Sequence, residues 1–149
     1  MIQLIRTDSS NPDFKAMVIE LDADLRIRDG DDHAFYSQFN KIDLIKYVVV
    51  AYNGNLAVGC GAIKEYSTGK MEVKRMYVSL ENRGKGIAGV VLLELEKWAK
   101  ELMATSCILE TGIRQPEAIA LYKKCGYFII KNYGQYENVN DSVCFEKKL

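Results

Sequence analysis

The chain has little of the material from which metal and redox sites are built. It contains a single histidine, His33, and its four cysteines form no CxxC pair. Zinc sites and thiol-exchange motifs need such groupings, so the sequence predicts no metal site. We expect Cys60, Cys107, Cys125 and Cys144 to be reduced thiols, mostly buried as small apolar side chains.

An excess of charge of one sign and a long apolar run are lacking as well. Twenty basic side chains balance twenty acidic ones, so nucleic acid is not expected as the main partner. No stretch approaches the ~20 apolar residues of a membrane-spanning helix, and the first residues do not resemble a signal peptide. We therefore expect a cytoplasmic protein with no membrane partner, folded as one domain over residues 1–149.

The order of periodic segments predicts an α/β (α+β) fold built on a mixed sheet of about seven strands with flanking helices. Asn11 caps the first helix, and Asn53-Gly54 marks a hairpin. A helix between the fourth and fifth strands makes that pair parallel. The strands are predicted at 2–6, 47–52, 56–66, 71–78, 106–110, 127–131 and 142–147, and the helices at 12–24, 33–40, 87–102 and 116–125.

A glycine-rich turn lies between the fourth strand and the long helix. It reads Arg83-Gly84-Lys85-Gly86-Ile87-Ala88. Glycines let the backbone approach a ligand closely, and a helix N-terminus offers unpaired N–H groups to an anion. Taken alone, the turn fits a pyrophosphate cradle and an ordinary tight turn equally well.

The same turn also matches the pattern GxGxxG of dinucleotide-binding folds, with Glu110 at a suitable distance to hold a ribose. The glycines of that motif should follow their strand at once, but residues 79–82 intervene here. Antiparallel hairpins precede the turn, and only one strand–helix–strand unit follows from it. A doubly wound fold needs several such units, so we disfavour the dinucleotide interpretation.

Residues 83–88 resemble the acetyl-CoA signature of the GNAT superfamily, Arg/Gln-x-x-Gly-x-Gly/Ala. A second motif follows at the expected distance: residues 115–127 are similar to the family's Asn-x-x-Ala-x-x-Leu-Tyr-x-x-x-Gly-Phe/Tyr segment, with Gln115 in place of the usual Asn. The resemblance is dense from about residue 46 to 131. It implies a GNAT fold in which strands four and five are parallel and splay apart to admit pantetheine.

The resemblance implies acetyl-CoA as cofactor and an N-acetyltransferase activity. The main chain of the fourth strand would hydrogen-bond the pantetheine amides, in the manner of an added strand. The cofactor-binding residues implied are Met76, Tyr77, Val78, Arg83, Gly84, Lys85, Gly86, Ile87, Ala88, Gln115, Ala118 and Tyr122.

Acetyl transfer needs a base for the amine and an acid for the departing thiolate. Tyr122 occupies the family's tyrosine position and is the candidate acid; the alternative is that it only packs on the sheet. Glu72 stands where several members carry a base, and strand parity puts it on one face with Lys74, Met76 and Val78. The alternative for Glu72 is a surface carboxylate paired with a lysine. Glu110, at the end of strand five, is the second candidate base.

Substrate specificity is expected to come from the N-terminal helices and their loop. Asp31 would attract a cationic amine, and His33 and Tyr36 would line a pocket; a solvated loop followed by a core-facing aromatic stripe is the alternative. The predicted acceptor is a primary amine, more plausibly of a small molecule than of a protein. A GNAT-fold protein that binds acyl-CoA without turnover is the competing function, and a homodimer is possible.

Overall fold

The computed structural model describes residues 1–30 and 45–149. The predicted helix over 33–40 and the predicted substrate residues Asp31, His33 and Tyr36 lie outside the described residues. The strands are β1 (Ile2–Thr7), β2 (Tyr47–Asn53), β3 (Leu56–Ser67), β4 (Lys70–Val78), β5 (Ser106–Gly112), β6 (Phe128–Ile130) and β7 (Ser142–Lys148). The helices are α1 (Pro12–Asp29), α2 (Ile87–Glu101) and α3 (Pro116–Lys124).

The strands form one seven-stranded sheet in the order β1-β2-β3-β4-β5-β7-β6. Its first four strands are antiparallel neighbours, and β4 and β5 run parallel because α2 carries the chain across between them. This arrangement confirms the predicted mixed sheet. Within the described ranges it contains one parallel pair, so the repeated parallel units of a dinucleotide-binding fold are not found there.

Helices cover both faces of the sheet, as the burial of the β2 side chains shows. Its run Val48-Val49-Val50-Ala51 is fully buried. Successive side chains alternate: Val48 and Val50 pack against α1, whereas Val49 and Ala51 pack in the core beneath α2. A strand with apolar residues on both faces is typical of the middle of a two-sided layer.

The first helix begins as predicted and ends later. The side chain of Asn11 accepts a hydrogen bond from the backbone N–H of Phe14 at 3.0 Å, which caps the helix. The predicted end near Asp24 is wrong, because the helix continues to Asp29 and stops at Gly30. An Asp24–Arg28 ion pair one turn apart and basic residues near the C-terminus stabilise the extra turn.

A β-bulge interrupts β4 at Arg75. Tyr77 pairs with Cys60 and Lys74 pairs with Ala62, so Gly61 alone faces two residues of β4. Arg75 has a φ of 60°, a left-handed conformation that is uncommon for a residue other than glycine. Such bulges re-aim side chains and recur beside functional sites.

The bulge makes the predicted strand parity wrong beyond Lys74. Glu72 and Lys74 share a face, where they form an ion pair. Met76 and Val78 lie on the opposite face, in the core beneath α2, and Tyr77 packs on the α1 side. The extra residue shifts the two-residue period of the strand by one.

The parallel pairing of β4 and β5 is short. It runs from Lys70 opposite Ser106 to Glu72 opposite Ile108, and both strands then continue for several residues without pairing to each other. The two strands therefore splay apart over their C-terminal halves, as the resemblance implied. The opening between them is flanked by α1 on one side and α3 on the other.

Candidate functional site

The glycine-rich turn stands open at the N-terminus of α2. Gly84 and Gly86 have φ values of 79° and 78°, and a Cβ built on either would meet no atom within 4 Å. Space above both residues and the first N–H groups of α2 together form a surface suited to an anion. This geometry suits a phosphate cradle, one of the two interpretations that the turn alone left open.

Arg83 links this turn to the end of β4. Its Nε donates a hydrogen bond to the carbonyl oxygen of Val78 at 2.9 Å, and its guanidinium lies 5.4 Å from the ring centroid of Tyr77. A more distant contact of 4.0 Å joins it to Asp24 of α1. The guanidinium is thereby held at the mouth of the opening between β4 and β5.

A cleft of about 510 Å³, called the large cleft below, runs from the glycine turn into that opening. All of the predicted cofactor residues except Lys85 line it, so the structure brings together residues that are up to 46 positions apart (Met76 and Tyr122). Residues that the prediction missed also contribute to its walls, namely Leu21, Asp24, Arg28, Asn82, Gly89, Glu117, Leu121 and Lys124.

A second cleft of about 120 Å³, called the small cleft, lies between α1, β4, β5 and the start of α3. The two clefts share five lining residues and therefore adjoin, and Met76 and Tyr122 are two of these; the others are Leu21, Gln115 and Ala118. Both candidate bases line the small cleft, together with Lys74, Arg75, Thr111 and Tyr136.

Tyr122 is only 6% exposed and packs on the rings of Tyr127 and Phe145. Burial raises the pKa of its phenol, and the nearby carboxylate of Glu110 acts in the same direction. Tyr122 packs on the sheet, which was the structural alternative, and it also borders both clefts. The two interpretations of this residue are therefore compatible.

Glu72 is buried, which differs from the expected surface carboxylate, although it does pair with a lysine. Tyr133 donates a hydrogen bond to its Oε2 at 2.5 Å, and the Nζ of Lys74 lies 3.5 Å from its Oε1. Both carboxylate oxygens thus have a partner. Tyr133 was not recognised from the sequence, because it belongs to a loop 61 residues away.

Glu110 is held differently. Its Oε2 accepts a hydrogen bond from the hydroxyl of Ser142 at 2.7 Å, across the antiparallel pair of β5 and β7. Its charge contributes to the raised pKa of Tyr122. Glu110 is therefore electrostatically coupled to the candidate acid.

Arg75 also lines the small cleft, and the sequence did not single it out as a site residue. Its side chain is 3% exposed, and its Nη1 lies 3.0 Å from Asp22 Oδ1 on α1. A basic residue in a strand ordinarily points to solvent, and only the bulge, which no sequence pattern announces, turns it inward. Burial lowers the pKa of its guanidinium, and the carboxylate of Asp22 opposes that effect.

Within residues 1–30 and 45–149 the acidic, histidine and cysteine side chains form no group suited to a metal ion. The helices of the same ranges include none with the length and apolarity that a bilayer crossing requires. All four cysteines are free thiols, and burial raises the pKa of Cys60 and of Cys107 to about 12.

Comparison with known proteins identifies the family. Residues 14–127 match the model of the acetyltransferase (GNAT) family. The chain belongs to this family. It is 37% identical over 106 residues to an IAA acetyltransferase of Azospirillum brasilense, covering 70% of this chain and 69% of that one. It is 33% identical over 101 residues to the uncharacterised N-acetyltransferase YsnE of Bacillus subtilis, covering 66% and 67%. The predicted enzyme class, an acyltransferase that transfers acetyl groups, is confirmed.

Solved structures agree on the GNAT fold. A Klebsiella pneumoniae protein proposed to be an acyl-CoA N-acyltransferase superposes with a TM-score of 0.84 at 28% identity, covering 100% of this chain and 98% of that one. The PaiA N-acetyltransferase of Thermoplasma acidophilum superposes with a TM-score of 0.73 at 19% identity, covering 100% and 99%. The latter structure is a complex with coenzyme A, in line with acetyl-CoA as the acetyl donor of GNAT enzymes.

Proposed function

We propose that this GNAT enzyme transfers the acetyl group of acetyl-CoA directly to a primary amine of a small molecule. The observation that carries the proposal is the junction of the two clefts at Met76 and Tyr122. Direct transfer requires donor and acceptor to meet at one point with an acid nearby, and this junction is such a point.

The large cleft suits coenzyme A in its chemistry. The open turn at Gly84 and Gly86 would receive the pyrophosphate, with Arg83 and Lys85 adding positive charge. The main chain of Met76, Tyr77 and Val78, which has no strand partner on the β5 side, would bind the pantetheine amides. Ile87, Ala88, Gln115 and Ala118 complete the walls. Acetyl-CoA bound in this way supplies the activated acetyl group.

The small cleft suits a small acceptor. Its volume of about 120 Å³ and its position between α1 and the splayed strands favour a compact amine over a peptide segment. Asp31, His33 and Tyr36 stay predictions as acceptor contacts.

Proton transfer would begin at Glu110 and end at Tyr122. An alkyl ammonium with a pKa near 10.4 is mostly protonated at neutral pH, so a carboxylate must take its proton before attack. We favour Glu110 as this base, because its carboxylate lines the small cleft and its charge acts on the phenol of Tyr122. Tyr122 would give its proton to the departing thiolate, and the second proton that the nitrogen loses after attack would restore the phenol, while the proton taken by Glu110 leaves to solvent. A main-chain N–H of β4 would polarise the thioester carbonyl.

The test is a thiol-release assay with acetyl-CoA and a broad panel of amines, combined with calorimetric titration of coenzyme A. We expect amine-dependent release of coenzyme A, and a Tyr122→Phe variant with at least a roughly ten-fold lower kcat and nearly unchanged coenzyme A affinity. Tight binding without release across the panel would instead favour the competing function, a non-catalytic acyl-CoA sensor. Unchanged turnover in Tyr122→Phe would reject this residue as the acid.

Other expectations stay predictions. Reduced, mostly buried thiols support a cytoplasmic location, and a fold with one sheet supports a single domain over 1–149. A homodimer would be tested by sedimentation; the exposed Phe128 and Ile129 of edge strand β6 are the apolar surface that such a contact would bury.

A further inference from the structure

The guanidinium of Arg75 is buried and incompletely paired. Its Nη1 meets Asp22, but its Nη2 is shielded from solvent and has no hydrogen-bond partner among residues 1–30 and 45–149. A buried polar group without a partner loses the hydrogen bonds it made in water, and the loss is larger for a charged group. Folded proteins rarely leave such a group unpaired unless it has a role.

Ion pairing with Asp22 does not account for this position. The side chain of Asp22 is 48% exposed, so it could be reached by a basic residue that remained in solvent. Instead the chain adopts a bulge with a positive φ at Arg75 and buries the guanidinium beside the small cleft. Strained backbone of this kind persists where the surrounding structure holds it, commonly at binding sites.

The charges around the small cleft are arranged in opposite pairs. Lys74 and Arg75 lie on β4, Glu72 faces Lys74 on the same strand, and Glu110 approaches from β5. A ligand that carried only positive charge would meet the two basic groups of this lining, the ammonium of Lys74 and the guanidinium of Arg75. A dianionic phosphate would meet its two carboxylates. A zwitterion has charges of both signs to match this lining.

We infer that the acceptor amine carries a carboxylate, as an amino acid does, and that the incompletely paired guanidinium of Arg75, which lines the small cleft, receives this carboxylate there. The inference rests on the proposed acetyl transfer and names its substrate class. Arg75 holds the carboxylate through charge-assisted hydrogen bonds, for which a guanidinium has the matching geometry. The amino group then lies toward Glu110 and the junction at Tyr122.

The experiment compares matched acceptors that differ only in the carboxyl group. Methionine, methioninamide and 3-(methylthio)propylamine form one such set, and alanine and phenylalanine with their amides and decarboxylated amines form two more. We expect at least one acid to be preferred over its own amide by roughly ten-fold or more in kcat/KM. Arg75→Gln should raise KM for that acid by roughly ten-fold or more and abolish the preference, with coenzyme A affinity retained.

Asp22→Asn is the control. It removes the ion pair of Arg75 and keeps the guanidinium, so it should retain the preference for the acid. If the role of Arg75 were only structural, Asp22→Asn and Arg75→Gln would lower the turnover of acid and amide alike. That result, or equal use of acids and amides by the wild-type enzyme, would overturn the inference while leaving acetyl transfer intact.

Binding gives a readout that does not depend on turnover. Titration of N-acetylmethionine and N-acetylmethioninamide into the coenzyme A complex, followed by NMR, should show binding of the acid that Arg75→Gln removes. If no acceptor is acetylated but this difference persists, the carboxylate site stands and the proposed function fails. If neither compound binds and amines without a carboxylate are acetylated, the carboxylate site fails.

Discussion

At the scale of single residues, the environment of Tyr122 decides what it can do. Its ring is enclosed by Tyr127, Phe145 and the sheet, while one edge borders both clefts. Burial raises the pKa of the phenol, which keeps the proton on the oxygen over a wider range of pH. The shift keeps Tyr122 in the protonated form that a proton donor needs, and it also makes the phenol a weaker acid.

The pH profile of kcat should reflect that shift. As pH rises, more of the acceptor ammonium loses its proton, so the rate should still be rising at pH 10. A tyrosine with the ordinary pKa of about 10 would be half ionised at that pH, and the rise would flatten before it. Steady-state kinetics from pH 6 to 10 would measure this, with Tyr122→Phe as the comparison. A profile that flattens as it approaches pH 10 in the wild-type enzyme, but not in Tyr122→Phe, would contradict the raised pKa.

The two candidate bases should respond differently to neutralisation. Glu110→Gln should lower kcat/KM at pH 7 by roughly 100-fold, in the range typical for loss of a general base. Glu72→Gln should cost much less, because Glu72 is already engaged by Tyr133 and Lys74. The deficit of Glu110→Gln should shrink at pH 9.5, where more of the amine is free. A larger loss in Glu72→Gln would reverse the assignment.

Sequence motifs predict some of these site residues and not others. Tyr122 and Gln115 belong to a motif that is read along one helix, so their positions could be predicted. Arg75 and Tyr133 could not, because one is turned inward by a bulge and the other reaches Glu72 from a distant loop. Neither effect has a local sequence signal.

At the scale of elements, β4 carries the largest difference between expectation and structure. Its length and its neighbours could be predicted from apolar periodicity and turn residues, and they were nearly right. The face of the sheet on which each β4 side chain lies beyond Lys74 could not be predicted, because one extra residue opposite Gly61 exchanges the two faces. The positions that border the clefts therefore depend on the partner strand as much as on β4.

Gly61 should be intolerant of a side chain for the same reason. A Cβ there would contact Met76 and would come within 2.9 Å of Leu95 Cδ1 and 3.1 Å of Val91 Cγ1 on α2. Gly61→Ala should therefore destabilise the fold by about 1–3 kcal/mol, as overpacking does. The free energy of unfolding in urea measures the effect.

Gly89 provides the matched control, because it lies within α2 and its Cβ would meet nothing within 4 Å. Gly89→Ala should be neutral or stabilise by up to about 1 kcal/mol, through helix propensity. Equal destabilisation by the two substitutions would show that crowding behind the bulge is not the cause.

At the scale of the whole molecule, the sheet consists of two parts that separate beyond Glu72 and Ile108. Besides the sheet, an ion pair joins the parts across the large cleft: the guanidinium of Arg28 on α1 lies 2.5 Å from the carboxylate of Glu117 on α3. Asp24 contacts both Arg28 and Arg83 at the same mouth. Two basic groups beside the glycine turn are thus partly neutralised by carboxylates.

Removal of one of these carboxylates should strengthen coenzyme A binding. Glu117→Gln frees Arg28 for the phosphates and removes a like charge from the mouth, so the Kd should fall roughly three-fold or more at low salt. The gain should shrink in 0.5 M NaCl, where exposed charges are screened. Stability should change by less than about 1 kcal/mol, because the side chain of Glu117 is 61% exposed.

Glu101→Gln is the control for this prediction. Its carboxylate is 57% exposed and also pairs with an arginine, Arg6, but it lies away from the cleft. Calorimetric titration of both variants separates a local effect from a change in net charge. If Glu101→Gln tightened binding equally, or if Glu117→Gln weakened it, the carboxylates at the mouth would not compete with the phosphates, and Arg28 would instead serve to hold α1 against α3.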